Sequence, residues 1–199
     1  MFNKRTLLAV VGVLAASLTL SACSTGTSDT GSDSPGSSSD AAATFNDQDV
    51  SFAQSMVVHH SQAIDMAQVI LDKDGIDPRV TELAQDIKDA QGPEIDQLNG
   101  FLEQWDAPAD MESMDGMEGM EGVAGTMSEQ DMADLEAASG AEASRLFLEQ
   151  MTVHHEGAVE MAQVEVDEGE DPDATALAEK IIEDQNAELE LMDELLATL

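Results

Sequence analysis

Phe52–Gln68 reads FAQSMVVHHSQAIDMAQ and Phe147–Gln163 reads FLEQMTVHHEGAVEMAQ, identical at nine of seventeen positions. A match of this length within one chain marks a repeated supersecondary unit. In the first copy Phe52, Met56, His59, His60, Ala63, Ala67 and Ile70 recur every three or four residues, the spacing of one helix face. A second block follows each copy, from Asp77-Pro78 to Leu102 and from Asp171-Pro172 to Leu196. Each aspartate is placed to cap a helix, with proline first in the helix, where its missing amide proton costs nothing. Leu83, Ala84, Ile87, Gln91, Ile95, Leu98 and Leu102 form one stripe, mirrored by Leu177, Ala178, Ile181, Gln185, Leu189, Met192 and Leu196. Gly92-Pro93 predicts a kink in the first of these helices.

Four helices with one apolar stripe each must bury those stripes against one another. The expected fold class is therefore all-α, a ferritin-like four-helix bundle built from two repeated helix pairs. Repeat one covers 45–105 and repeat two 128–199, with a connection at 106–127 rich in Gly, Asp, Glu and Met. Ser128 and Asp131 have capping-box spacing and predict a short helix there. With it the connection is long enough to run the length of a bundle, which favours a crossover over a plain up-down order.

Outward from the repeats, residues 1–22 read as a lipoprotein signal peptide. Lys4 and Arg5 precede the apolar run Leu7 to Leu20, which is too short for a stable membrane span. The run ends in Leu20-Ser21-Ala22-Cys23, which resembles a lipobox, and Cys23 is the only cysteine in the chain. A lone thiol here reads as a lipid attachment point rather than half of a disulfide. Residues 23–44, the lipidated cysteine and a Ser, Thr, Gly and Asp tether, bury too little apolar surface to fold. The expectation is an exported protein held by lipid on the outer face of the cell membrane. Beyond the signal only Lys73, Arg79, Lys88, Arg145 and Lys180 face 42 acidic residues, which excludes nucleic acid as a partner.

All four histidines of the chain, His59, His60, His154 and His155, fall in the repeated motif. At about 100° per residue Met56 lies mid-stripe with His59 and His60 on its flanks and Met66 on the edge shared with His59; Met151, His154, His155 and Met161 repeat this. Imidazole with thioether suits copper, as Cu(I) or Cu(II), and no thiolate is present to favour zinc. The competing reading is a structural or interaction module whose histidines pack the core against carbonyls or carboxylates. Gln91, Glu94, Gln185 and Glu188 are the candidate hydrogen-bond partners, and would equally orient ligating imidazoles. Metal binding requires neutral imidazole, so affinity is expected to weaken as pH falls through about 6.5.

Six of the twelve methionines lie between the repeats or just beyond. Met111, Met114, Met117 and Met120, at three-residue spacing, form a second candidate metal cluster for Cu(I) or Ag(I), followed by Met127 and Met132. An acidic connection without a ligand role has the same composition. No catalytic residue is expected. A di-iron centre needs inward carboxylates, and Asp65 and Glu160 fall on the outer face by angular count; no nucleophile-base pair or phosphate loop is present.

The motif MVVHHxxAxxMA, its partner FLxxMxxHHxGAxxMA and the approach SGxxxxxxFL resemble the bacterial family known as domain of unknown function 305 over Phe45 to Leu199. The resemblance implies a ferritin-like fold, export, and copper binding through Met56, His59, His60, Met66, Met151, His154, His155 and Met161. It also implies a copper-handling protein as a candidate partner, besides the metal ion and the membrane. Gln62 stands in repeat one where Gly157 stands in repeat two, so close helix approach is expected only at the second.

Overall fold

In the computed structural model, which describes residues 44–109 and 123–199, each helix starts where the chain supplies a cap. The first, α1 (Asp47–Leu71), opens on a capping box: the Asn46 side chain accepts from the amides of Gln48 and Asp49, and Asp49 accepts from the Asn46 amide. Asp77 caps α2 (Pro78–Gln104) and Asp171 caps α5 (Pro172–Leu196), each with proline next, as expected. Ser128 and Asp131 form the anticipated box at α3 (Glu129–Ala137), which leads into α4 (Gly140–Glu168). The described residues contain five helices and no strand. Pro93 does not end α2, which runs unbroken through it. The residue sits on the exposed outer face, as does Asp89, whose carbonyl Pro93 cannot satisfy and which water therefore can.

Contacts at the two ends fix the directions of the helices. The Asn46 side-chain amide at the start of α1 donates to the Glu168 carbonyl at the end of α4. Trp105, capping the end of α2, donates from Nε1 to Asp171 at the start of α5. At the opposite end the Asp77 amide donates to Ser144 near the start of α4. Hence α1 runs antiparallel to α4, α2 is antiparallel to α5, and α2 and α4 point the same way. Parallel neighbours in the chain need a connection as long as the bundle, so the arrangement is the ferritin-like crossover.

The apolar core falls into two clusters. One gathers Met66, Ile70, Leu83, Ile87, Phe147, Met151 and Met192 with Leu135 of α3; the other gathers Phe52, Met56, Leu98, Leu102, Trp105, Ala162 and Ile181. Along every long helix the order is cluster, polar residues, cluster. The polar residues are His59 and His60 on α1, Gln91 and Glu94 on α2, His154 and His155 on α4, and Gln185 and Glu188 on α5, all buried except Glu188. A polar layer thus crosses the bundle at mid-height, between two apolar ones.

Candidate metal centre

The two histidine motifs do not build two separate sites. Because α1 and α4 are antiparallel neighbours, His59 and His154 meet with ring centroids 3.7 Å apart and planes tilted by 39°. His60 and His155 lie outward of them, at 6.3 Å from His59 and 6.4 Å from His154. All four rings are completely buried.

The outer pair has the partners anticipated from the sequence. His60 Nε2 donates to Glu94 at 3.0 Å, and His155 Nε2 donates to Glu188 at 2.5 Å. A carboxylate only accepts, so each Nε2 carries the proton it donates; neither Nδ1 has a hydrogen-bond partner. Glu94 is in turn held by Lys180 of α5 at 2.9 Å, a contact that sequence spacing did not suggest because it joins α2 to α5. Burial opposes the charge on Glu94, but His60 and Lys180 prevail and hold its carboxyl below the usual range.

The inner pair has no partner on any nitrogen: Nδ1 and Nε2 of both His59 and His154 are enclosed and unbonded. Burial, with the other histidines adding to it, pushes His59 down to about 3 and His154 well below the ordinary imidazole value. The carbonyls of His154 and Ala124 face His59 and work the other way, without reaching hydrogen-bonding geometry. Burial likewise lowers His60, against Glu94. These three imidazoles are therefore neutral at physiological pH and offer lone pairs in a medium of low dielectric. The amides of Gln91 and Gln185 in the same layer are also unpartnered at both atoms; they are not the hydrogen-bond partners that the stripe suggested.

The methionines of the motif bracket the layer. Met56 and Met161 belong to one apolar cluster and Met66 and Met151 to the other, so each side receives one thioether from each repeat. Met56, Met66 and Met151 are fully buried and Met161 partly so. Asp65 and Glu160 are exposed, as the angular count required. Among the described residues no group of three or more His, Cys, Asp or Glu side chains is placed to hold a metal ion as the side chains stand. Met111, Met114, Met117, Met120 and Cys23 lie outside the described residues.

The contrast between Gln62 and Gly157 has a different cause from the expected one. No helix closes on Gly157. A methyl group there would fall 2.4 Å from the Ala124 carbonyl oxygen and 2.6 Å from the Gly125 Cα, so the backbone pressed against it is the end of the inter-repeat connection. Gln62 binds the same segment, donating from Nε2 to the Met127 carbonyl at 2.9 Å and accepting the Met127 amide at 2.6 Å. Only the mismatch between the repeats at this one position hinted at it.

A second polar cluster, unsuspected from the sequence, joins α1 to the α4–α5 turn. Asp49 accepts from the amides of Glu170 and Asp171, and these bonds hold its carboxyl low against its burial. Glu165 beside it is fully buried with neither carboxyl oxygen hydrogen-bonded; burial first, then the neighbouring Asp49 carboxyl, raise it to about 8.

The family model described as a domain of unknown function, DUF305, matches residues 49–196. A DUF305 protein from Streptomyces coelicolor is 33% identical with a TM-score of 0.69, covering 76% of this chain and 91% of its own. A DUF305 fragment from Deinococcus radiodurans is 31% identical with a TM-score of 0.70, covering 78% and 99%. CopM in its Cu(II)-bound form is 32% identical with a TM-score of 0.63, covering 75% and 96%, and Cu(I)-bound, silver-bound and apo forms of CopM also match. No curated protein matches the chain.

Proposed function

This chain belongs to the DUF305 family, and from that premise we propose that it binds copper at the mid-bundle histidine layer and buffers or passes on that copper outside the cytoplasmic membrane. The observation that carries the reading is the inner pair, His59 and His154, whose four ring nitrogens are buried without a partner. An unsatisfied buried polar atom costs about 1 to 3 kcal/mol, so four approach the whole stability of a typical domain, about 5 to 15 kcal/mol. A layer this costly is retained where a ligand repays it. Neutral imidazole nitrogens with thioethers above and below are a soft donor set, which suits Cu(I) and tolerates Cu(II). The likeness to CopM, solved with copper and with silver, supports the same reading.

His59 and His154 would hold the ion, and Nδ1 of His60 and His155 and the sulfurs of Met56, Met66, Met151 and Met161 are the candidates from which its one or two further donors would come. Glu94 and Glu188 orient the outer rings. The ion is cargo and no reaction is catalysed on it, in keeping with the exposed positions of Asp65 and Glu160. Lipid on Cys23 would keep the protein at the outer membrane face, near a copper-handling partner that delivers or receives the ion. A second reading, a structural module without metal, is favoured by the bonds from His60 to Glu94 and from His155 to Glu188, which a packing histidine also makes.

The test is metal stoichiometry of protein titrated with Cu(I), Cu(II), Zn(II) and Fe(II), for the wild type and for the double variant His59→Gln with His154→Gln. The expected result is loss of at least one bound Cu(I) with helicity retained, since glutamine is a tolerable helix former and a poor soft ligand. A double variant that still binds its full copper would sink the reading. The variant His154→Gln with His155→Gln probes one inner and one outer ring together and is expected to lose copper as well.

A further inference from the structure

The histidine layer is sealed, so an ion can enter only where some part of the cover moves. Four long helices form most of that cover, and each is anchored in an apolar cluster on both sides of the layer. Among the described residues outside the long helices, the segment Val123–Met127, here called the strap, also lies against the layer. It lies on the α1–α4 pair at the level of the histidines: a methyl group on Gly125 would fall 2.8 Å from the Val153 carbonyl oxygen and 3.0 Å from that of His154, and the Ala124 carbonyl faces His59.

The strap has the features of a movable element. Gly125 has φ of +77°, a left-handed conformation that lets the turn bring its backbone flat against Gly157. Val123 is buried, while residues 124–127 are only partly so. It is tied to α1 by the two-way hydrogen bonding between Gln62 and the Met127 backbone, and the Met127 side chain packs on one apolar cluster. A short segment outside the helices, most of whose residues are only partly buried, opens locally at lower cost than separating helices.

We propose that the strap Val123–Met127 is the gate of the histidine layer and that Gln62 is its latch, so that the strap sets how fast copper enters and leaves without setting how tightly it is held. The inference rests on the copper reading above. Gln62 is a positioning residue: its two hydrogen bonds go to the strap backbone. Repeat two needs no latch, because Gly157 provides the smooth seat on which the strap lies.

The experiment follows Cu(I) transfer to and from a chromophoric Cu(I) chelator by stopped flow, on full-length protein, beside the equilibrium affinity from the same competition. Gln62→Ala is expected to raise the uptake and release rates together, by roughly ten-fold, since two neutral hydrogen bonds are lost from the closed state, with the dissociation constant unchanged within about two-fold. Gly157→Ala, which unseats the strap by a backbone collision, is expected to act in the same direction. Faster amide exchange at Met127 in copper-free Gln62→Ala would report the unlatching without metal. Unchanged rates in both variants, or release that quickens while affinity weakens in proportion, would overturn the gate and leave the copper reading standing. Failure of the wild type to take up Cu(I) would overturn both.

Discussion

The imidazole rings of His59 and His154 lie 3.7 Å apart across the α1–α4 interface, and neither is exposed. Two positive charges at that separation would repel by about 4 kcal/mol even at an effective dielectric constant of about 20. The contact therefore excludes charge on both rings at once, and burial, which holds each well below the ordinary imidazole value, keeps both neutral, the form that binds a metal.

This alters the expected response to acid. Burial holds His59 at about 3 rather than 6.5. In the unfolded chain the same group protonates at about 6.5, so between these values the unfolded state carries more protons and stability falls as pH falls. The stabilisation is complete above about 6.5 and is lost toward about 3. Protons then compete poorly with copper at this pair, and the expectation that affinity weakens through pH 6.5 is replaced: Cu(I) affinity should change less than about ten-fold between pH 7 and 5. Competition titrations at both pH values check this, and a ten-fold loss for each pH unit below 6.5 would contradict it.

Glu165 gives the opposite dependence on the alkaline side. Its carboxyl is raised to about 8, so between about 4.5 and 8 the folded state holds the extra proton and stability falls as pH rises. Glu165→Gln keeps the shape and removes the ionisation. The variant should be more stable than the wild type at pH 9, by on the order of 1 to 3 kcal/mol, with the difference vanishing near pH 4. Urea unfolding followed by the fluorescence of Trp105, the chain's one tryptophan, measures it; equal stabilities at pH 9 would refute the assignment.

Replacing Met111, Met114, Met117 and Met120 together by leucine should leave the thermal midpoint unchanged, since an acidic, glycine-rich stretch carries little core. Only the capacity for Cu(I) or Ag(I) should drop, read by titration. A lowered midpoint with full capacity would show that these methionines pack.

On the proposed lipid anchor, Cys23→Ser should move the protein from the membrane fraction to the soluble one, because acyl chains at about 0.8 kcal/mol per buried methylene would be its main attachment. Cell fractionation decides it, and unchanged partitioning would remove the anchor.

The helices, their caps at Asp77, Ser128 and Asp171, the buried stripes and the candidate ligands were all legible in the chain, because each is a matter of local spacing: period, cap chemistry and repetition lie within a few residues. The capping box at Asn46 and Asp49 is equally local. The side on which each histidine falls followed from 100° per residue. Which histidine meets which did not follow. That His59 meets His154 while His60 and His155 turn to Glu94 and Glu188 depends on α1 lying antiparallel to α4. Helix direction is a property of the whole packing, and no local period encodes it. The reach of Lys180 to Glu94, the Asp49 and Glu165 pair, and the grip of Gln62 on Met127 are of the same kind. A single helix specifies a face, but a contact between faces exists only once burial of four stripes has chosen their common axis, and that choice is made by the free energy of the assembled core rather than by any segment of it.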